Sequence, residues 1–171
     1  MSKVTARDVL VHEFGLVYAT AAMNLEGMTQ ADSLAQPAGN ANCANWILGH
    51  LVSVQNAVME VAGLEPVWRS AELERAGFDP IRAPEQAIDW DTLVARFLSS
   101  RDRCLAGIAA LSDEVLAARV TDPFGNDVSR AELLSTLAYH QAYHIGQLGI
   151  VRRAAGLPGA IRGPGQPAVT A

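Results

Sequence analysis

The chain has 171 residues, half of them hydrophobic and 18 % charged, with a formal net charge of −5. That is the length of one domain with a sizeable core, and no run of 18 or more apolar residues offers a transmembrane span. The few basic residues are scattered, which gives no footprint for nucleic acid or an anionic membrane, and two cysteines, Cys43 and Cys104, are too few for a disulfide framework or a cysteine zinc site.

Four long helical segments and no convincing strand alternation follow in chain order. The first covers about 5–25, with Thr5 as N-cap, Asp8 in the first turn, and Val9, Leu10, Phe14, Val17 and Ala21 as its apolar face. Residues 27–39 hold Pro37 and small polar residues and read as a connection. A second helix starts behind Asn42 or Asn45 and stops at Gly63, a good C′ residue. Residues 64–88 contain Pro66, Gly77, Pro80 and Pro84 and form a long crossover, with a short helix expected at about 70–75. The third long helix covers about 91–111, with Leu93, Phe97, Cys104, Ile108 and Leu111 facing inward. Ser112 caps a short helix through Ala118, and residues 122–127 form a turn. The fourth helix opens at Ser129 with Glu132 at N3, a capping box, and ends near Gly156. These elements specify an all-α fold, a four-helix up-down bundle with one long crossover, over residues 1–156. Residues 157–171, rich in glycine and proline, are expected to be a loosely ordered tail.

The chemistry lies in the histidines, of which the chain has four. His140 and His144 are one helical turn apart, about 40° around the axis, so two imidazoles can converge on one metal ion. They fall on the line Leu133, Leu137, His140, His144, Leu148, Val151, and His50 falls on the line Ile47, His50, Val54, Ala57, Val61 of the second helix. A single histidine on such a stripe reads as a core residue satisfied by hydrogen bonds. Three of them read as three ligands with an open position, the composition of a catalytic metal site. A di-iron bundle needs inward Glu residues and E-x-x-H pairs, and neither Glu13, Glu26 nor Glu60 has His three residues later. A zinc peptidase of the H-E-x-x-H type needs a carboxylate where this chain has the neutral Gln141.

The segment Asn45-Trp46-Ile47-Leu48-Gly49-His50-Leu51, followed some ninety residues on by His140-Gln141-Ala142-Tyr143-His144-Ile145-Gly146-Gln147-Leu148, resembles the DinB/YfiT-like family of metalloenzymes. The resemblance implies a four-helix bundle in which His50, His140 and His144 hold one divalent ion, zinc or nickel. It also implies a homodimer, and kinship with enzymes that use a low-molecular-weight thiol as cosubstrate. Many relatives have Glu where this chain has Gln141.

The expected function is therefore a divalent-metal-dependent enzyme, a thiol transferase or a small-molecule hydrolase or isomerase, acting in the cytoplasm on a small-molecule substrate, with no nucleic-acid or membrane partner. The alternative is a non-catalytic metal-binding bundle that acts in stress through its dimer surface. A fourth protein ligand, such as His12 on the line Val9, His12, Leu16, Met23, or Cys43 ahead of the second helix, would mark a structural site; an open position would mark an enzyme. Tyr139 and Tyr143 flank the paired histidines, Trp68 and Trp90 flank the crossover and suit a dimer interface, and Gln141 is expected beside a neighbouring helix or in solvent.

Overall fold

The computed structural model describes residues 3–37, 41–73 and 80–160. Its elements are α1 (Ala6–Leu25), α2 (Gln30–Ser33), α3 (Ala44–Val61), a 3₁₀ turn (Pro84–Gln86), α4 (Trp90–Ser99), α5 (Arg101–Ala110), α6 (Asp113–Ala117), β1 (Arg119–Thr121), β2 (Asp127–Ser129) and α7 (Arg130–Ala154). The four-helix bundle with one long crossover is the architecture found, α4 and α5 together forming its third rod.

Contacts along the rods fix their directions. Tyr18 meets Ser100 and Arg7 pairs with Asp113, so α1 and the α4–α5 rod are antiparallel. His50 meets His140 and Arg130 reaches the carbonyl of Val61, so α3 and α7 are antiparallel. Asn24 near the end of α1 touches Ile145 and Gly149 late in α7, which makes α1 and α7 parallel. The order is thus up, down, down, up. The crossover is what permits it, because the chain must travel back along α3 before α4 can start beside the start of α3. Two asparagines of α3 hold that return path. Asn56 Oδ1 accepts from the backbone N–H groups of Val67 and Trp68 (2.7 and 3.2 Å), and its amide donates to the Trp68 carbonyl (2.7 Å). Asn45, fully buried, donates to the Ile88 carbonyl (2.7 Å) and accepts from its N–H (3.0 Å). Gly107 gives the crossover room: a Cβ there would stand 2.4 Å from Leu64 Cδ1.

The capping signals read from the sequence are present. Thr5 and Asp8, and Ser129 and Glu132, form reciprocal capping boxes, and Ser112 caps α6. Other boundaries differ for identifiable reasons. The N-cap of α3 is Cys43, not Asn42 or Asn45. The expected third helix is interrupted at Ser100, whose buried hydroxyl donates to the Phe97 carbonyl (2.6 Å) and therefore accepts from the Tyr18 hydroxyl (2.7 Å). A serine bonding back to its own preceding turn competes with the helix ladder and bends the rod. The presumed loop between α1 and α3 contains α2, started by a second Thr-x-x-Asp capping box, Thr29 and Asp32. The expectation of no strand is corrected as well: β1 and β2 pair antiparallel, Val120 opposite Val128, and the foreseen turn is the tip of that hairpin. Of the expected helix at 70–75, residues 71–73 form a turn and 74–75 lie outside the described residues.

One core runs through the bundle, from Leu10, Phe14 and Tyr18 of α1 through Leu48 and Leu51 of α3, Trp90 and Phe97 of α4, and Cys104 and Ile108 of α5 to Leu134, Ile145 and Leu148 of α7. Val9, assigned to the inner face of α1, is instead exposed. At the far end, buried Arg152 of α7 donates to the carbonyls of Asn24, Glu26 and Pro158. Leu157 packs on the core, while residues 161–171 of the expected tail lie outside the described residues. No described helix is long and apolar enough to cross a membrane.

Replacing Asn45 by alanine leaves the buried N–H of Ile88 without its partner and its C=O with only the long bond from Gln30 Nε2 (3.4 Å). The expected loss is about 2–3 kcal/mol of unfolding free energy, read from urea titration as a lowered midpoint with an unchanged slope; a shift equivalent to less than about 0.5 kcal/mol would show that the crossover is held by packing alone.

Candidate metal centre

The antiparallel pair α3 and α7 carries the site. His50 projects from the second turn of α3, and His140 and His144 from successive turns of α7. The ring centroids lie 4.6–5.2 Å apart, His50 Nε2 is 2.9 Å from His140 Nε2, and one ring nitrogen from each of the three lies within 4.8 Å of the others. All three residues expected as ligands are therefore brought together, and among the described residues no other His, Cys, Asp or Glu joins the group.

The histidines are less deeply placed than their apolar lines suggested. The buried face of α7 centres on Leu134, Ala138, Gln141, Ile145 and Leu148, and that of α3 on Leu48, Leu51, Gln55 and Val58. His50, His140 and His144 flank those faces and keep part of their surface in solvent, His140 the most. Gln141 takes the central position: it is fully buried and donates to Gln55 Oε1 at 2.7 Å. Of the two places expected for it, the neighbouring helix is the one it occupies. His12 lies on the outward, exposed side of α1 and Cys43 is sealed in the core, where burial raises its thiol pKa; neither belongs to the group.

Two aromatic residues frame the site. The Trp46 indole stacks on the His50 ring at 5.2 Å and 12°, and Tyr143, largely exposed, sets its ring edge-on to His144 at 5.2 Å. The sequence signal for Trp46 was its place four residues before His50, the same face of α3. Gln147, one turn beyond His144, accepts from His144 Nδ1 at 2.9 Å.

The electrostatics suit metal binding. Burial, reinforced by the neighbouring His144 and His140, pushes the His50 pKa down to about 4. Burial and then His144 lower that of His140; burial lowers that of His144 against the opposing hydrogen bond to Gln147. Three neutral imidazoles at pH 7 are three available nitrogen donors. Their spread is within side-chain adjustment of the spacing around one ion held at about 2.0–2.1 Å, the distance for zinc. The residues fit the group that the pattern implies.

The chain is a four-helix bundle with three histidines, able to hold a metal ion, converging between two of its helices, and comparison with known proteins gives the family. Residues 14–148 match the model of the DinB superfamily, and the chain belongs to that family. Among solved structures it is similar to a DinB-like protein of Bacillus cereus (17 % identity, 88 % of this chain and 93 % of that one, TM-score 0.66). It is similar also to a conserved protein of Enterococcus faecalis (18 %, 91 % and 98 %, TM-score 0.68). YfiT of Bacillus subtilis, described as a probable metal-dependent hydrolase with an unusual four-helix bundle topology, has 15 % identity over 92 % of this chain and 93 % of that one, with TM-score 0.65. These likenesses show the fold. No curated protein matches the chain.

Because the folded-state pKa of His50 lies below its unfolded value near 6.5, the unfolded chain binds more protons between about pH 4 and 6.5. The His50 contribution therefore costs nothing above pH 6.5 and destabilises the fold as pH falls through that window. Metal-free protein is expected to lose more Tm between pH 7 and pH 5 than the His50→Asn variant does; equal losses in differential scanning would contradict this assignment.

Proposed function

We propose that the protein is a divalent-metal-dependent enzyme, a thiol transferase or a small-molecule hydrolase or isomerase, whose centre is His50, His140 and His144. The observation that carries this reading is the three-histidine group itself, with neither His12 nor Cys43 as a fourth ligand and with part of its surface open to solvent. Three protein ligands and a free position are what a catalytic ion needs, whereas structural zinc sites are closed by four. A divalent ion there supplies Lewis acidity, acidifying a water or thiol and polarising a substrate. Zinc and nickel both suit imidazole donors.

The chain's own residues do the rest. The three imidazoles are held neutral by burial and by one another, so they need not shed protons before binding. Trp46 covers one side of His50 and Tyr143 borders His144, so a small substrate entering from solvent meets aromatic walls. Gln141 is turned into the core against Gln55 and offers no base. YfiT, described as a probable metal-dependent hydrolase, is in keeping with this reading. The alternative, a non-catalytic metal-binding bundle, is favoured by the lack of a carboxylate in the group.

Titration of metal-free protein with zinc or nickel is expected to saturate at one ion per chain. His140→Ala should weaken binding by at least about 100-fold while far-UV dichroism keeps its helical amplitude, since the apolar core and not the ion supplies most of the folding free energy. Wild-type protein that takes up no ion would end the proposal; a bound ion with no turnover of thiol adducts or small esters and amides would favour the alternative.

We also propose a homodimer, on a face other than the one expected. Trp90 is buried with its indole N–H on the Met28 carbonyl, and Trp68 is half-buried under Arg96. Large apolar side chains stand instead on the outer sides of the parallel helices α1 and α7: Val9, Leu16 and Met23, seven residues apart, and Tyr139, Tyr143 and Ile150. The stripes are about 21 Å and about 17 Å long, and two neighbouring helices each about 10 Å wide make a patch on the order of 400 Å², the size at which exposed apolar surface marks an interaction site. Two side-by-side stripes of similar length suit a second copy related by a two-fold axis. Since the patch is about half of a standard interface per partner, a reversible dimer is expected by light scattering at micromolar concentrations, and a monomer in Leu16→Glu/Ile150→Glu at unchanged Tm. A monomeric wild type would overturn it.

A further inference from the structure

The structure assigns a role to Gln147, a residue outside the ligand set: we infer that it is a positioning residue that selects which nitrogen His144 presents to the metal. The inference rests on the metal-site reading above but concerns a different atom. A neutral imidazole carries its proton on one nitrogen and its lone pair on the other. His144 Nδ1 lies 2.9 Å from Gln147 Oε1. A side-chain carbonyl oxygen can only accept, so Nδ1 must carry the proton and Nε2 is left with the lone pair, the arrangement a metal ligand requires. Among the described residues, His144 is the one imidazole of the three whose Nδ1 meets a side-chain partner; the contact of His50 and His140 is with each other, Nε2 to Nε2, and His50 is held from outside by stacking on Trp46.

Local geometry makes this contact inexpensive. Gln147 follows His144 by three residues on α7, so the two side chains share one helix face without any loop having to close. The residue is half-buried, and its contact is with Nδ1 of His144. Tyr143 covers another side of the same ring. His144 is thus fixed in both tautomer and tilt before any ion arrives, and an ion meets a donor that need not rotate or exchange a proton first.

The test compares wild type with Gln147→Leu, which keeps bulk but has no acceptor, and with Gln147→Glu, which has only acceptors. The zinc dissociation constant is measured by competition with a chromophoric chelator, the cobalt(II) complex by its visible ligand-field bands, and the His144 tautomer by long-range ¹H–¹⁵N correlation. Gln147→Leu is expected to weaken zinc binding about 10- to 100-fold, to shift the cobalt bands and to leave Tm of the metal-free protein nearly unchanged. Gln147→Glu is expected to bind zinc at least as tightly as wild type, with the proton kept on Nδ1. A Gln147→Leu constant within twofold of wild type overturns the inference, as does a Gln147→Glu variant as weak as Gln147→Leu, since the acceptor would then be irrelevant. Wild-type protein that binds neither zinc nor cobalt refutes instead the metal-site reading.

Discussion

The crossover that runs back along α3 is the constraint on which the rest of the structure depends. Without it the chain would alternate direction at every turn, and the last helix would lie antiparallel to the first. By returning to the start of α3 before α4 begins, the chain makes α3 and the α4–α5 rod parallel, and so brings α7 down beside α1 in the same sense and beside α3 in the opposite one. A path of this length has a considerable conformational entropy cost. The amides of Asn45 and Asn56 offset part of it by satisfying backbone groups of the crossover at Val67, Trp68 and Ile88. The asparagine next to Trp46 in the histidine-bearing segment is thus as much a part of the fold as His50 is of the site.

Depth is the second control. On α7 the centre of the buried face belongs to Gln141 and the flank to His140 and His144; on α3 it belongs to Gln55, with His50 to one side. The rings are buried enough to stay neutral near pH 7 and open enough for something to reach them. Had the imidazoles taken the central positions, the three rings would be sealed from solvent as Gln141 is. The two amides that are central meet each other, which limits the cost of polar groups in a core.

Much of this was readable in the chain. Helical periodicity, the capping boxes at Thr5 and Ser129, and the proline-rich stretch after Gly63 gave the bundle and its crossover, and the spacing of His140 and His144 together with the stripe containing His50 pointed to the three histidines that come together. What escaped depends on contacts a linear pattern does not hold. The break at Ser100 needs Tyr18 from another helix. The apolar lines through the histidines are a few tens of degrees off the buried face, because a helix with partly apolar flanks has several plausible stripes. The hairpin of three-residue strands is too short to show alternation, although β-branched residues on either side of the foreseen turn were its available signal. Trp68 and Trp90 were expected to be exposed beside the crossover, whereas Trp90 is buried and Trp68 half-buried.

The parallel alignment of α1 and α7 has a further electrostatic consequence. Each α-helix carries the equivalent of about half a negative charge at its C-terminus, and parallel neighbours bring two such ends together, where antiparallel ones would place each beside an opposite end. The last turn of α1 contains no basic residue, whereas that of α7 contains Arg152 and Arg153. Arg152, buried, turns its guanidinium away from its own helix and onto the free carbonyls of Asn24 and Glu26, so one cation serves the macrodipoles of both helices. A bundle that runs up, down, down, up thereby acquires a charge requirement at one pole that a simply alternating bundle does not have.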